Sequence, residues 1–240
     1  LPTPPPPIPR LLATHRKHDA SEIVLYWRIV TRGLHPDLVA ANVLDAHTVL
    51  HSCAALPTHR WVVEVVADNY MNMRERTGTD VLEVTVPKEY RCPNGGKFKA
   101  RALHYASMHS QARREDWVVH MDEETRFDAA TVAHVLEHCL KENSAWRAAG
   151  EGPGRSSSGG DGAGYGHIGQ GVICYNTMVI ESTLCSLADT IRVGDDYGKF
   201  ALQYRMFEQP LIGMHGSFVV CQNAVEMDFG FDHGLEGSIT

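Results

Sequence analysis

The sequence predicts an α/β fold built on a mainly parallel sheet. Four short runs are rich in β-branched and aromatic residues and are bounded by polar residues, Pro or Gly, as buried strands are. They are residues 22–30, 61–67, 81–86 and 117–121. The segments between them carry apolar residues at helical spacing. Because strands that alternate with helices usually form a parallel sheet, a layered α/β sandwich is expected.

Three of the connecting segments are predicted to be helices. The first covers residues 36 to about 51, the second residues 96–114, and the third follows Asp128, which is placed to cap its N-terminus. The apolar side of the first helix comprises Val39, Val43, Ala46 and Leu50, and that of the third comprises Val132, Val135, Leu136, Cys139 and Leu140. Further along, the patterns predict strands at 169–175 and 217–221, and helices at 184–193 and 199–207.

Composition excludes some classes of function. The 240 residues, 43% of them hydrophobic, suffice to bury the core of one sizeable domain. With 22 Lys and Arg against 29 Asp and Glu, the net charge of −7 disfavours a nucleic-acid partner. The six widely spaced cysteines form no CxxC pair, which favours reduced, buried thiols in a cytosol-facing domain. No run approaches the roughly 18 to 20 apolar residues of a membrane span, so a soluble segment is expected.

Two tracts of biased composition divide the chain. Residues 1–20 begin LPTPPPPIPR and are predicted to form a Pro-rich linker. Residues 148–166 read AAGEGPGRSSSGGDGAGYG, which is too poor in apolar side chains to form a core, so a flexible surface insertion is expected. The predicted domain therefore covers residues 21–240, and both ends of the chain are interpreted as cuts.

Two motif matches are weak in their context. GYGHIG, at residues 164–169, has the letters of a dinucleotide-binding turn, but it leaves a Gly/Ser tract and enters a predicted strand instead of opening a helix. HVLEH matches the zinc motif H-x-x-E-H with His134, Glu137 and His138. At 100° per residue, both histidines project opposite the apolar stripe of their helix, which favours a solvated helix face. A zinc hydrolase remains the less favoured alternative.

The sequence HMDEET places three carboxylates, Asp122, Glu123 and Glu124, directly after a predicted strand. In open α/β sheets, ligands bind at the carboxyl ends of the strands. Crowded carboxylates suit a hard cation such as Mg²⁺ or Mn²⁺, and nucleotide-sugar chemistry needs such an ion because the departing diphosphate develops negative charge. From these residues alone, a metal site and an acidic loop that caps the next helix both remain open.

Motifs around this triplet carry a family resemblance from about residue 26 to the end. In order they are RIVTRG, EVVAD, VPKEY, KFKARALHYA, DWVVHMDEET, GQGVICY, LADTIRVGDDYGKFALQ and HGSFVV. They resemble the motifs of family-two, GT-A fold glycosyltransferases, and most closely those of the egghead-type β-1,4-mannosyltransferase group. The resemblance implies a GT-A, Rossmann-like sandwich whose C-terminal part is incomplete in this chain.

The resemblance also implies roles for individual residues. Those expected to bind the nucleotide sugar are Thr31, Arg32, Gly33, Asp68, Lys99, Arg101, Asp122 and Glu123. Those expected to bind Mn²⁺ or Mg²⁺ are Asp122 and Glu124, and those expected on the acceptor side are His215, Gly216 and Ser217. The alternative for Asp68 is a turn residue, and for Lys99 and Arg101 a solvated helix face. The general base of the family is an Asp in a Glu-Asp pair, expected beyond Thr240, so this chain alone is expected to bind weakly and turn over poorly.

The activity implied is an inverting transfer of a hexose, mannose from GDP-mannose, to a hydroxyl of a glycolipid or saccharide. By resemblance, the parent protein is expected to be held at an ER, Golgi or cell membrane by parts outside this chain, with the catalytic domain facing the cytosol. The alternative from another class is a catalytically silent nucleotide-binding fragment, which would bind GDP or UDP with Mn²⁺ and transfer nothing.

Overall fold

The computed structural model describes residues 23–53, 56, 61–148, 168–174, 182–207, 211, 214 and 216–233. The linker predicted over 1–20 and all but the first residue of the insertion predicted over 148–166 lie outside this part of the chain. The described elements are, in order, β1 (Leu25–Thr31), α1 (Pro36–Ser52), β2 (Trp61–Ala67), α2 (Met73–Thr77), β3 (Val81–Thr85), α3 (Phe98–His109), β4 (Trp117–Asp122), α4 (Ala129–Ala148), β5 (Ile168–Gln170), α5 (Thr183–Phe207), β6 (Val219–Gln222) and α6 (Asn223–Phe229).

The six strands form one sheet in the order β3-β2-β1-β4-β6-β5. Strand β1 pairs in parallel with β2 and with β4, and β2 pairs in parallel with β3. Strand β6 is antiparallel to both β4 and β5. The predicted α/β class and mainly parallel sheet are confirmed. The strand order reverses at β1, so the crevice between the carboxyl ends of β1 and β4 is the position where such sheets bind ligands.

Helices α1 and α4 cover one face of the sheet. All four apolar residues predicted for α1 are buried there against the strands. Four of the five predicted for α4 are buried as well, whereas Leu140 is 38% exposed because it lies at the edge of the stripe. The cap prediction for α4 is confirmed, since the backbone N–H of Thr131 donates to Asp128 Oδ1 at 2.8 Å.

Helix α3 covers the other face. Its Ala102, Leu103 and Ala106 pack on Val30 of β1 and Val66 of β2. Helix α6 packs beside α3. Between them the same face of the sheet carries the charged residues of the central strands, which are described below with the site.

Several element boundaries differ from the prediction. The two helices predicted over 184–207 are one continuous helix, α5, because Gly194 and Gly198 each weaken a helix by only about 1 kcal/mol and do not end it. Helix α3 begins at Phe98 instead of residue 96, and β5 spans three residues. The five-residue α2 and seven-residue α6 were not predicted, since such short helices carry too few turns for a periodic pattern.

The described cysteines and helices bear on two further expectations. All six cysteines are free, and four of them are buried, as the composition predicted. None of the helices in the described ranges has the length and apolarity needed to cross a bilayer.

The backbone of Gly171 approaches the ring of Phe218 so closely that a side chain at position 171 is predicted to destabilise the fold. A Cβ at position 171 would lie 1.9 Å from Phe218 Cδ1. The change Gly171→Ala must therefore displace the ring, and we expect it to lower the free energy of unfolding by about 1–3 kcal/mol in urea titrations. Gly194→Ala is the matched control: a Cβ there meets nothing within 4 Å, so the helix should gain about 0.5–1 kcal/mol. Equal effects of the two changes would contradict the close approach.

Candidate functional site

A cavity of about 370 Å³ opens where β1, β2 and β4 end and α3 begins. Seven of the nine residues predicted to bind the nucleotide sugar or metal line it, the exceptions being Gly33 and Arg101. The complete lining is Val30, Thr31, Arg32, Leu34, His35, Asp68, Phe98, Lys99, Ala102, Asp122, Glu123 and Glu124. The fold thus brings predicted site residues together that are up to 93 positions apart in the sequence, from Thr31 to Glu124. Their individual roles stay predictions.

The loop that carries the carboxylate triplet is held by hydroxyl groups. The backbone N–H of Asp122 lies 3.1 Å from Thr125 Oγ1 and 3.1 Å from Ser217 Oγ, and these two hydroxyls are 2.8 Å apart. The backbone N–H of Thr125 also donates to the carbonyl of Asp122 at 3.0 Å. The triplet is therefore fixed both to its own turn and to the segment before β6.

The three carboxylates of the triplet have different partners. Glu123 accepts a hydrogen bond from the hydroxyl of Thr31, and its carbonyl accepts one from Asn42 Nδ2 at 3.0 Å, so it ties the triplet to β1 and α1. Asp122 pairs with Lys99. Glu124 is exposed, lines the cavity and forms no hydrogen bond or ion pair with the other described residues. Glu124 is therefore the member of the triplet whose carboxylate has no partner among the described residues, whereas Asp122 and Glu123 each have one carboxylate oxygen engaged.

Lys99 brings a positive charge to the triplet from the first turn of α3. Its ammonium group donates to Asp122 Oδ1 and, at 2.8 Å, to the carbonyl of Gly216. The side chains of Lys99 and Asp122 are 35% and 37% exposed, so the pair stands at the edge of the cavity in contact with solvent. This ammonium group already occupies a cation position beside the carboxylates.

Asp68 and Arg101 form a second ion pair at the end of β2. Arg101 also donates to the carbonyls of Pro87, at 3.0 Å, and Tyr90, at 3.3 Å. Asp68 lines the cavity, whereas Arg101 stands behind it. The arginine therefore holds the carboxylate of Asp68 at the rim.

The residues predicted for the acceptor side are placed only in part. His215 lies outside the described residues. Gly216 contacts Lys99 through its carbonyl, and Ser217 is buried, with 3% of its surface exposed. Neither lines the cavity, and Ser217 supports the backbone of Asp122 instead. Their acceptor role stays a prediction.

A buried polar cluster below the cavity was not predicted. Arg28 of β1 lies opposite Glu64 of β2 and His120 of β4 in the sheet. Its guanidinium group pairs with Glu64 and, at 2.6 Å, with Glu226 of α6. Glu226 also contacts His120 Nε2 and accepts from Cys221 Sγ at 3.0 Å. In the sequence, the only indication of this cluster is an ionisable residue in the middle of each of three largely apolar strands, namely Arg28, Glu64 and His120.

This cluster contains His120, Cys221 and Glu226, the one group of three potential metal ligands among the residues that the structure describes. The guanidinium group of Arg28 already supplies a positive charge at Glu226. Burial opposes ionisation of Glu226, but the charges of His120 and Arg28 outweigh it and lower the pKa of Glu226 to about 2. The arrangement is thus a charge network internal to the fold.

The H-x-x-E-H residues do not converge. His134 and Glu137 lie 3.9 Å apart on the exposed side of α4. His138 instead packs edge-on against Trp117, with ring centroids 5.7 Å apart. Of the two histidines predicted to lie on the solvated face, only His134 does so. A zinc ligand set needs side chains that meet in a protected cleft. The geometry therefore disfavours the zinc hydrolase.

Asp232, which follows α6, holds the loop before α3 and was also not predicted. Its carboxylate accepts hydrogen bonds from the backbone N–H groups of Asn94 and Gly96, the latter at 2.8 Å. A Cβ at Gly96 would lie 2.9 Å from Asp232 Oδ1, so glycine permits this approach. The loop delivers the first turn of α3, and with it Lys99, to the cavity.

Comparison with known proteins identifies close relatives in sequence. The chain is 36% identical over 215 residues to "Beta-1,4-mannosyltransferase bre-3" of Caenorhabditis briggsae and 35% identical over 214 residues to "Beta-1,4-mannosyltransferase egh" of Drosophila melanogaster. These alignments cover 89% and 88% of the chain, which spans 41% of each relative. No family model and no solved structure matches the chain. The similarity confirms the resemblance to the egghead-type β-1,4-mannosyltransferase group, whereas the family-two and GT-A assignments stay predictions.

The buried charge network predicts a distinctive response to pH. Because the folded-state pKa of Glu226 lies below its ordinary 4.5, its contribution to stability is present above pH 4.5 and is lost as the pH falls towards 2. We expect Glu226→Gln to lower the free energy of unfolding at pH 7 by about 3–5 kcal/mol, since it leaves Arg28 partly unpaired, and by less at pH 3.

The matched control for this change is Asp228→Asn on the same helix. Asp228 forms an exposed pair with Arg114 at 2.7 Å, so its loss should cost under about 1 kcal/mol at pH 7. Urea unfolding at the two pH values measures both variants. A difference between wild type and Glu226→Gln that does not shrink at low pH would refute the assignment.

Proposed function

Because the chain is similar over most of its length to egghead-type β-1,4-mannosyltransferases, we propose that it forms the donor-binding part of an inverting, GT-A type glycosyltransferase. The donor is GDP-mannose, and the acceptor is a hydroxyl of a glycolipid or saccharide. The observation that supports this most directly is the cavity at the carboxyl ends of β1, β2 and β4, which is lined by four carboxylates and by the basic side chains of Arg32 and Lys99. A lipid-linked acceptor lies in a bilayer, so the proposal includes membrane association of the whole protein.

The carboxylate end of the cavity fits a diphosphate with a divalent cation. Asp122 and Glu124 offer hard oxygen ligands from one short loop, and both face the same cavity as Lys99. Mn²⁺ or Mg²⁺ there would stabilise the negative charge that develops on the leaving nucleoside diphosphate. With such an ion at Asp122, the ammonium group of Lys99 would be free to donate a charge-assisted hydrogen bond to a phosphate oxygen. Glu123 positions the loop through Thr31.

The opposite end of the cavity fits the nucleoside. Asp68 presents a carboxylate that accepts hydrogen bonds from a nucleobase, and Arg101 orients that carboxylate by pairing with it. The segment at Thr31, Arg32 and Gly33 borders the same space. Its shape is maintained because the backbone N–H of Gly33 donates to Thr31 Oγ1 at 3.0 Å, with Gly33 in the left-handed region at φ 72°.

The acid-base half of the reaction is not assigned to any residue of the described chain. In the proposed mechanism a general base takes the proton of the acceptor hydroxyl, which contributes about 10²- to 10⁴-fold to the rate. Nucleotide binding is therefore the measurement on this chain that tests the proposed donor site. A catalytically silent nucleotide-binding module would bind in the same way. Transfer of mannose from GDP-mannose to a glucosylated lipid, measured with the chain extended beyond Thr240, is therefore the measurement that separates the two.

The metal assignment predicts that GDP binding depends on Mn²⁺. In calorimetric titrations we expect GDP to bind about tenfold or more weakly when Mn²⁺ is omitted, and Asp122→Ala and Glu124→Ala to cause a comparable loss in its presence. UDP should bind more weakly than GDP to the wild type. Glu137→Ala, which removes an exposed carboxylate of α4, is the control and should bind as wild type does. Equal GDP affinity in all four proteins would exclude Asp122 and Glu124 as metal ligands.

The role given to Lys99 predicts a selective loss of diphosphate binding. A hydrogen bond to a charged group contributes about 1.5–3 kcal/mol, so Lys99→Met should weaken GDP binding by about tenfold or more. Guanosine, which lacks phosphates, should bind Lys99→Met and wild type equally in competition titrations. Lys141→Met removes an exposed lysine of α4 as the control. Equal weakening of guanosine and GDP would show that Lys99 supports the fold of the cavity instead.

A further inference from the structure

Phe98 is unusual among the residues that line the cavity. Its side chain is 59% exposed, and it and Leu34, at 58%, are the only large apolar side chains of the described chain that are both exposed and part of the lining. None of the described aromatic rings stacks on Phe98. An exposed apolar surface at the mouth of a polar cavity is typical of a ligand contact.

The backbone of Phe98 is strained as well. Its φ of 51° lies in the left-handed region, which disfavours side chains that carry a Cβ. Two other non-glycine residues of the described chain share this conformation. Asn72 is of a type that tolerates it, and Phe218 is buried, so that packing compensates its strain. Phe98 has neither advantage, and strained residues of this kind concentrate at ligand-binding sites.

The position of Phe98 on α3 indicates which part of a nucleotide it meets. Phe98 and Lys99 are neighbours in the chain and both line the cavity, but adjacent residues project in different directions. Lys99 points to Asp122, whereas Asp68 lines the cavity at the end of β2. Because Lys99 takes the side of the carboxylate triplet, we assign Phe98 to the Asp68 end of the cavity.

We propose that the ring of Phe98 stacks on the nucleobase of the donor while Asp68 accepts hydrogen bonds from the edge of that base. A nucleobase is flat and has an apolar face, and Phe98 and Leu34 are the exposed apolar surfaces that this cavity offers it. Stacking on an aromatic side chain is a sequence-tolerant way to hold a base. This assignment rests on the proposed nucleotide-sugar function and adds to it the residue that holds the base.

The test compares three changes at position 98. Phe98→Leu keeps an apolar side chain but removes the ring, and we expect it to weaken both GDP and guanosine on the order of tenfold. Phe98→Tyr keeps the ring and should retain most of the affinity for both. Phe98→Gly removes the ring and relieves the left-handed strain, so binding should fall while the melting temperature rises. If Phe98 had only a structural role, its replacement would not lower the GDP affinity while raising the melting temperature.

The control is Phe207→Leu, which removes an exposed ring from α5, outside the cavity lining. It should bind GDP and guanosine as the wild type does. If the wild type binds GDP and Phe98→Leu binds it with the same affinity, the assignment to Phe98 is overturned and the proposed function stands. A loss for GDP but not for guanosine would also overturn it, since the effect would then pass through Lys99. Absence of GDP binding by the wild type, with or without Mn²⁺, would overturn the proposed function and this inference together.

Discussion

The pairing of Arg28 with Glu226 is the interaction on which the rest of the structure depends. It joins the central strand β1 to α6, and through Glu64, His120 and Cys221 the same network reaches β2, β4 and β6. All of these groups are buried, so the loss of Arg28 or Glu226 leaves an incompletely compensated charge in the interior, at a cost of about 3–5 kcal/mol. We therefore expect the network to favour the observed pairing of strands over pairings that would separate these charges.

The positions of the residues that line the cavity depend on that network. His120 and Asp122 are two residues apart on β4, so both face α3, and the fixed position of β4 directs the carboxylate of Asp122 towards Lys99. On the other side, α6 leads to Asp232, whose carboxylate holds the backbone at Asn94 and Gly96 and thereby places the start of α3. Both partners of the Lys99–Asp122 pair are thus positioned from one buried centre.

What the sequence alone predicts is limited by the range of the interactions involved. Local patterns locate β2, α1 and the cap at Asp128, because strand composition, helical periodicity and capping act within a few residues. They miss the contacts of Glu226 with Arg28 and His120, and those of Asp232 with the loop before α3, because these partners lie more than one hundred positions apart. They also divide α5 at glycines that tertiary structure tolerates. The cavity lining was largely predicted by family motifs, whereas the strain at Phe98 depends on a φ angle that only coordinates reveal.

The chain uses the same types of charge in two environments with opposite consequences. The Arg28 network is buried, so exchanging a partner is prohibitively costly and the ions serve only the fold. Lys99 and Asp122 are about one-third exposed, and a pair so placed contributes little to stability because water competes with it. Separating the pair therefore costs little, which is compatible with the proposed donor site, where Lys99 would donate to a phosphate oxygen and a metal ion would take its place at Asp122. Solvent exposure, more than residue type, therefore separates the ions of the site from those of the core.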